Sequence, residues 1–171
     1  METTSPEPPL ILTLGLDEHS TAIFDDLRRR HFPAHLNRVG AHLTLFHQLP
    51  GDRLDNVLAD LHEIRPAPFD LVVTRPRLLG RGVAIDLRSA QLTVLHRQLS
   101  DRWQPWLVPQ DRQPFRPHIT VQNKVDPTEA RRLHSDLAEV RHWPTALATD
   151  WSLWRYLGGP WAAEAQVPFG P

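Results

Sequence analysis

The sequence predicts an α+β domain built from two antiparallel-rich sheets related by a pseudo-two-fold, with helices packed outside. Three observations lead there. Apolar runs of strand type alternate with runs of helical period along the chain. The element order of strand, helix, strand, helix and further strands recurs, in degenerate form, in the second half. Two tripeptides of one form, His42-Leu43-Thr44 and His118-Ile119-Thr120, sit in the β-type runs AHLTLF and PHITV about half a chain apart.

Leu10 to Leu16 reads as a buried strand, and Asp17 can cap a helix to about His31 with Ile23, Phe24 and Leu27 on one face. Phe32-Pro33 ends it, and a loop carrying Arg38 and Gly40 leads into the first motif strand, 42–48. Pro50-Gly51-Asp52 is a turn before an amphipathic helix over 53–64 with Leu54, Val57, Leu58 and Leu61 inward. Phe69–Thr74 and Gly82–Leu87 form a strand pair bent near Gly80-Arg81-Gly82. Leu92, Leu95 and Leu99 are the spine of a helix over Ala90–Trp103. A Pro-rich stretch ends at Phe115-Arg116-Pro117 and opens the second motif strand, 118–125. Asp126 as cap, Pro127 at the first helical position and Glu129 three residues after the cap start a helix to about His142. Two strands, about 146–157 and 162–169, close the chain around Gly158-Gly159-Pro160.

The composition bounds the function. With 171 residues and a formal net charge of −1, one domain over 10–171 is expected behind a polar, Pro-rich loose tail, 1–9. No global field draws in long nucleic acid, so any polyanion site must be local. There is no cysteine, hence no thiol chemistry. No long apolar run or signal segment is visible, and a cytoplasmic, membrane-free monomer is the expectation. Neither a metal-ligand pattern nor a Walker loop nor a G-x-S-x-G elbow occurs.

The chemistry rests on the paired tripeptides. Strand side chains alternate faces, so His and Thr two apart share a face, about 6.5–7 Å apart. Two such strands side by side converge an acid, a base and two hydroxyl donors on one small volume, the equipment of phosphoester chemistry. A third match, His19-Ser20-Thr21, lies in the capped first turn of a helix, where residues two apart diverge, and is set aside.

AHLTLFHQLP around the first motif and FRPHITVQNKV around the second resemble the 2H phosphoesterase superfamily, in its 2′-5′ RNA ligase / RNA 2′,3′-cyclic phosphodiesterase branch. LGRGVAIDL and the helix after it resemble that branch's middle section, and the resemblance spans about residues 10–170. It implies a bilobal fold with a central cleft, and neither metal nor organic cofactor. The catalytic pair would be His42 and His118, with His118 as base and His42 as acid, and Thr44 and Thr120 would hold the phosphate. The implied activity is hydrolysis of 2′,3′-cyclic phosphates to 2′-phosphates, with reversible 2′-5′ ligation by the same pair run backwards. The partner would be an RNA 3′ end or a small cyclic-phosphate nucleotide, such as an ADP-ribose cyclic phosphate. The competing reading is a binder of RNA ends or of a phosphorylated metabolite without turnover.

Lesser candidates follow from position. Gln122 and Lys124 continue the His118 face of a regular strand, Lys124 being the sole lysine among nineteen basic residues. Phe46 continues the His42 face and could stack a base, but core packing suits it better. By the same alternation His47 points away. Arg38, Arg81, Arg116 and Arg155 could rim an anionic cleft. Tyr156, with Trp151, Trp154 and Trp161, is either core or a nucleobase platform.

Overall fold

Side chains that out-compete the extended backbone start the helices. Asp17 accepts the Ser20 N–H at 2.9 Å and opens α1 (Glu18–His31), which follows β1 (Leu10–Leu16). After β2 (Leu43–Leu49) come α2 (Leu54–Glu63), β3 (Phe69–Leu78) and β4 (Val83–Arg88). Ser89 then accepts the Leu92 N–H at 3.1 Å and opens α3 (Ala90–Trp103). β5 (His118–Gln122) leads to Asp126, which accepts the Thr128 N–H at 2.8 Å before α4 (Pro127–Ala138). β6 (Ala146–Tyr156) and β7 (Trp161–Pro168) complete the chain. The computed structural model describes residues 5–171.

The strands pair antiparallel in the order β2-β1-β6-β3-β4-β5, with β7 on the free stretch of β6. The two expected sheets are thus two halves sharing one strand. β3 pairs with β6 through Phe69–Leu71 and with β4 through Val72–Leu78. The motif strands β2 and β5 stand at opposite ends of this order and nonetheless touch, because the sheet wraps round on itself. Register shifts in β1–β2, β3–β4 and β4–β5 add to the curvature that closes it. Leu12, Phe46, Leu61, Ile85, Leu99, Trp103 and Trp151 form the buried interior.

Several boundaries differ from expectation. α4 stops at Ala138 rather than near His142, and Val140 beyond it is 41% exposed as the chain turns back to β6. β5 stops at Gln122 rather than 125. The loose tail, of which residues 1–4 lie outside the described residues, is tied down by Pro8: the Pro8 and Pro9 carbonyls accept from Arg155 Nη1 at 3.0 Å and the Tyr156 N–H at 2.9 Å. At the β3–β4 turn, Gly80 has φ +85°, and a Cβ on Gly82 would lie 2.0 Å from the Gln122 carbonyl oxygen. That close approach seats the turn against the end of β5.

Candidate active site

His42 lies one residue before β2, and His118 is the first residue of β5. Each ring is locked in the same way. The His42 Nδ1–H donates to the Gly40 carbonyl at 2.8 Å, and the His118 Nδ1–H donates to the Arg116 carbonyl at 2.8 Å. A carbonyl can only accept, so Nδ1 carries the proton and Nε2 is the free, titrating nitrogen of both. The loop that presents Gly40 turns at φ +81°, and Asp25 of α1 anchors it by accepting the Ala41 N–H at 2.7 Å.

Thr44 and Thr120 follow two residues on, half-buried beside their histidines. Each is followed at once by a bulge. On β2 the register steps from Thr13↔Thr44 to Leu12↔Phe46, so Leu45 is the extra residue. On β5 it steps from Ala84↔Thr120 to Val83↔Gln122, so Val121 is extra. The carbonyls freed nearby are met from outside the ladder. Leu45 accepts from His96 Nε2 at 3.2 Å, and Thr120 accepts from the buried Arg28 Nη1 of α1 at 2.9 Å.

The bulges reset the alternation of faces, which corrects several expectations. Phe46 is turned into the core, 0% exposed, stacked on His96 and edge-on to Trp103, and offers no surface to a base. Gln122 is likewise turned inward at 1% exposed, its Oε1 without a hydrogen-bond partner. Lys124 lies past the strand in an exposed turn at φ +60° and leaves the His118 face. His47, by contrast, emerges with the site. Its Nδ1–H donates to Asp111 at 2.9 Å, and Asp111, 1% exposed at the side chain, also accepts the His47 and Gln48 backbone N–H groups. Nothing in the sequence alone signals this pair, because Asp111 comes from the Pro-rich loop far along the chain.

The three imidazoles lie within one another's fields. Burial pushes the His42 pKa down to about 4, helped by the positive charges of Arg28, His47 and His118 and opposed by the Gly40 carbonyl. Burial also lowers His118, with Arg77 and His47 adding to the shift and the Arg116 carbonyl and Asp86 opposing it. Trp161 packs on the His42 ring with centroids 4.8 Å apart, and Trp154 stands behind it at 6.1 Å. Beside His118, Asp86 occupies the paired position on β4 and accepts from Arg77 Nε at 2.9 Å and Arg116 Nη2 at 3.2 Å.

Arg116 thus lies at the site, by its carbonyl and by its side chain. Arg81 donates to the Val125 carbonyl at 3.2 Å and braces the β3–β4 turn instead. Arg155 is engaged by the Pro8 and Gly51 carbonyls and by Glu164. Tyr156 is 40% exposed at the end of β6, paired in register with Trp161. Trp151 is wholly buried, whereas Trp154 and Trp161 are half-buried. His47, Asp111, Asp86 and Arg77 are the groups that the sequence did not single out.

Comparisons with known proteins bear on the family and the fold. The model of the 2'-5' RNA ligase superfamily matches residues 16–160. TT0787 of Thermus thermophilus has the same fold at 19% identity and a TM-score of 0.65, covering 94% of this chain and 97% of that one. A structure described as a phosphoesterase gives 20% identity and a TM-score of 0.61, with 96% and 99% covered. LigT of E. coli, solved with 3'-AMP, gives 21% identity and a TM-score of 0.56, with 98% and 100% covered. No curated protein matches by sequence. The family match over this much of the chain carries the assignment, and the solved structures share its fold: the chain belongs to the 2'-5' RNA ligase superfamily.

Proposed function

We propose that this phosphoesterase hydrolyses 2′,3′-cyclic phosphate ends of RNA or of nucleotides to 2′-phosphates, with His42 and His118 as its acid–base pair. One observation carries the reading. Two histidines with identical Nδ1 locks, each two residues before a threonine and a bulge, stand on strands from opposite ends of the sheet that touch.

In the reaction, water attacks phosphorus in line with the 3′ oxygen. One Nε2 takes the proton of the water as the new P–O bond forms. The P–O3′ bond breaks, and the other imidazolium protonates the departing 3′ oxygen. Thr44 and Thr120 hydroxyls donate to the non-bridging oxygens as their charge grows. No redox step or external acceptor is involved. A 5′-hydroxyl attacking in place of water would open the same ring to a 2′-5′ linkage.

The family resemblance makes His118 the base and His42 the acid. Deep burial opposes a protonated His42 in the free enzyme. A bound phosphate supplies the negative charge that returns the proton, so substrate binding itself arms the acid. Trp154 and Trp161 form an apolar wall beside His42 against which the nucleoside can lie. The 3'-AMP bound to the fold relative LigT is a ligand of the same class.

Incubation with adenosine 2′,3′-cyclic phosphate in the presence of EDTA tests the reading. The expected product is adenosine 2′-phosphate alone. A 3′-phosphate product would overturn the direction of ring opening. Saturable binding without any product would overturn the enzyme in favour of a binder.

A further inference from the structure

Three guanidiniums crowd a single carboxylate next to His118. Asp86 Oδ1 accepts from Arg77 Nε at 2.9 Å, and its Oδ2 lies 3.2 Å from Arg116 Nη2 and 3.8 Å from Arg75 Nε. Asp86 is the one acid in these contacts, so the cluster keeps a net positive charge. The strand registers place it on the same face as the candidate site. His118 pairs with Asp86, which pairs with Arg75; Thr120 pairs with Ala84, which pairs with Arg77. Residues directly opposite in a ladder share a face. Arg75 therefore stands two strand spacings, about 10 Å, from His118 along one row.

Two further observations point to an anion as the partner of this cluster. Arg77 Nη2 is buried and has no hydrogen-bond partner, an orphan that costs a folded protein stability unless a ligand meets it. A cavity of 710 Å³ is lined by Arg75, Arg77, Arg116 and Arg141 with His134 and His142, beside apolar residues of β3 and α4, and no carboxylate lines it. Arginines serving only to neutralise Asp86 would leave neither an orphaned N–H nor an acid-free basic cavity.

We propose that Arg75, Arg77 and Arg116 form a second anion site that takes a further phosphate of the substrate whose reacting phosphate lies at His42 and His118. This rests on the function proposed above. The fork of each guanidinium suits a phosphate's paired oxygens. The ligand chemistry is a phosphate linked through one nucleoside to the 2′ position, either the phosphodiester of an RNA strand or the 5′-phosphate of a mononucleotide.

Isothermal titration of the full chain with adenosine 2′-monophosphate, adenosine 2′,5′-bisphosphate and the dinucleotide ApA 2′-phosphate tests it. At least one ligand with the second phosphate should bind about 10- to 100-fold tighter than the monophosphate, the worth of charge-assisted hydrogen bonds. A gain confined to the dinucleotide assigns the site to an RNA strand; a gain for the bisphosphate assigns it to a mononucleotide. Arg75→Gln, at a side chain 69% exposed where folding is safe, should remove most of that gain while leaving the monophosphate within about threefold, and Arg77→Gln should remove most of that gain as well. Equal affinity for all three ligands, or a full gain retained in both variants, overturns the proposal. If the monophosphate does not bind but inorganic pyrophosphate does, and Arg75→Gln abolishes that binding, the anion site stands and the proposed reaction fails.

Discussion

Acidification should unfold this protein through His42, and the size of the effect follows from the burial of that ring. The unfolded imidazole titrates at its ordinary 6.5, while the folded one does so at about 4. Between those values the unfolded chain holds a proton that the native chain refuses. Stability therefore falls as the pH drops through the window, and the loss is complete once the pH is below the folded value. At about 1.4 kcal/mol per pH unit, the His42 contribution is about 3 kcal/mol, a large part of a typical domain's margin. His118, His96 and His31 are shifted in the same direction and steepen the overall curve, so a difference measurement is needed. Urea denaturation of the wild type and of His42→Gln, at intervals from about pH 7 to about pH 4, supplies it. The variant has no group to titrate at this position, and its stability should fall less steeply by about 3 kcal/mol over the window. Parallel curves for the two proteins would refute the burial argument. Inorganic phosphate should flatten the wild-type curve, since an anion at the site lets the native ring keep its proton.

Loss of either imidazole, in His42→Ala or His118→Ala, should lower kcat on a 2′,3′-cyclic phosphate by about 10²–10⁴, and near-full turnover would remove that residue from the mechanism. Thr44→Ala and Thr120→Ala should each cost about 1–3 kcal/mol in kcat/KM, read from steady-state rates. Because both free-enzyme imidazoles are lowered, kcat/KM should peak on the acid side of about 6.5 and decline toward neutral pH, whereas kcat, set by the phosphate-bound form, should peak at higher pH; a rate series from about pH 4 to about pH 8 decides this. Asp111→Asn removes the charged acceptor of three N–H groups and should destabilise the fold by about 1–3 kcal/mol in urea while freeing the His47 ring, with unchanged stability excluding the buried pair as a brace. Gly82→Ala drives a methyl into the Gln122 carbonyl and should cost about 1–3 kcal/mol or more, together with activity, because the β5 bulge must shift to admit it.

Much of the fold was legible from local chemistry. Caps at Asp17 and Asp126 act only on their own first turns, and leucine spacing over Ala90–Trp103 depends only on helical period. Strand β3 runs past Thr74 to Leu78 because Arg75 to Leu78, neither alternating nor apolar, is held as strand by its pairing with β4. The helix after Pro127 ends at Ala138 although Val140 fits the helical period, so periodicity alone overruns its end.

The two His-x-Thr motifs and their placement on strands were determined by the sequence itself, since alternation along a strand is a property of the backbone. What happens one residue beyond each threonine was decided only by the tertiary structure. A bulge is the insertion of a residue relative to a partner strand, and no strand carries its partner's register in its own residues. That single step turned Phe46 and Gln122 from the site into the core and brought His47 out to Asp111. The same holds for charge: Arg75, Arg77, Arg116 and Asp86 come from three separate stretches of chain, and only the wrapped sheet sets them beside His118.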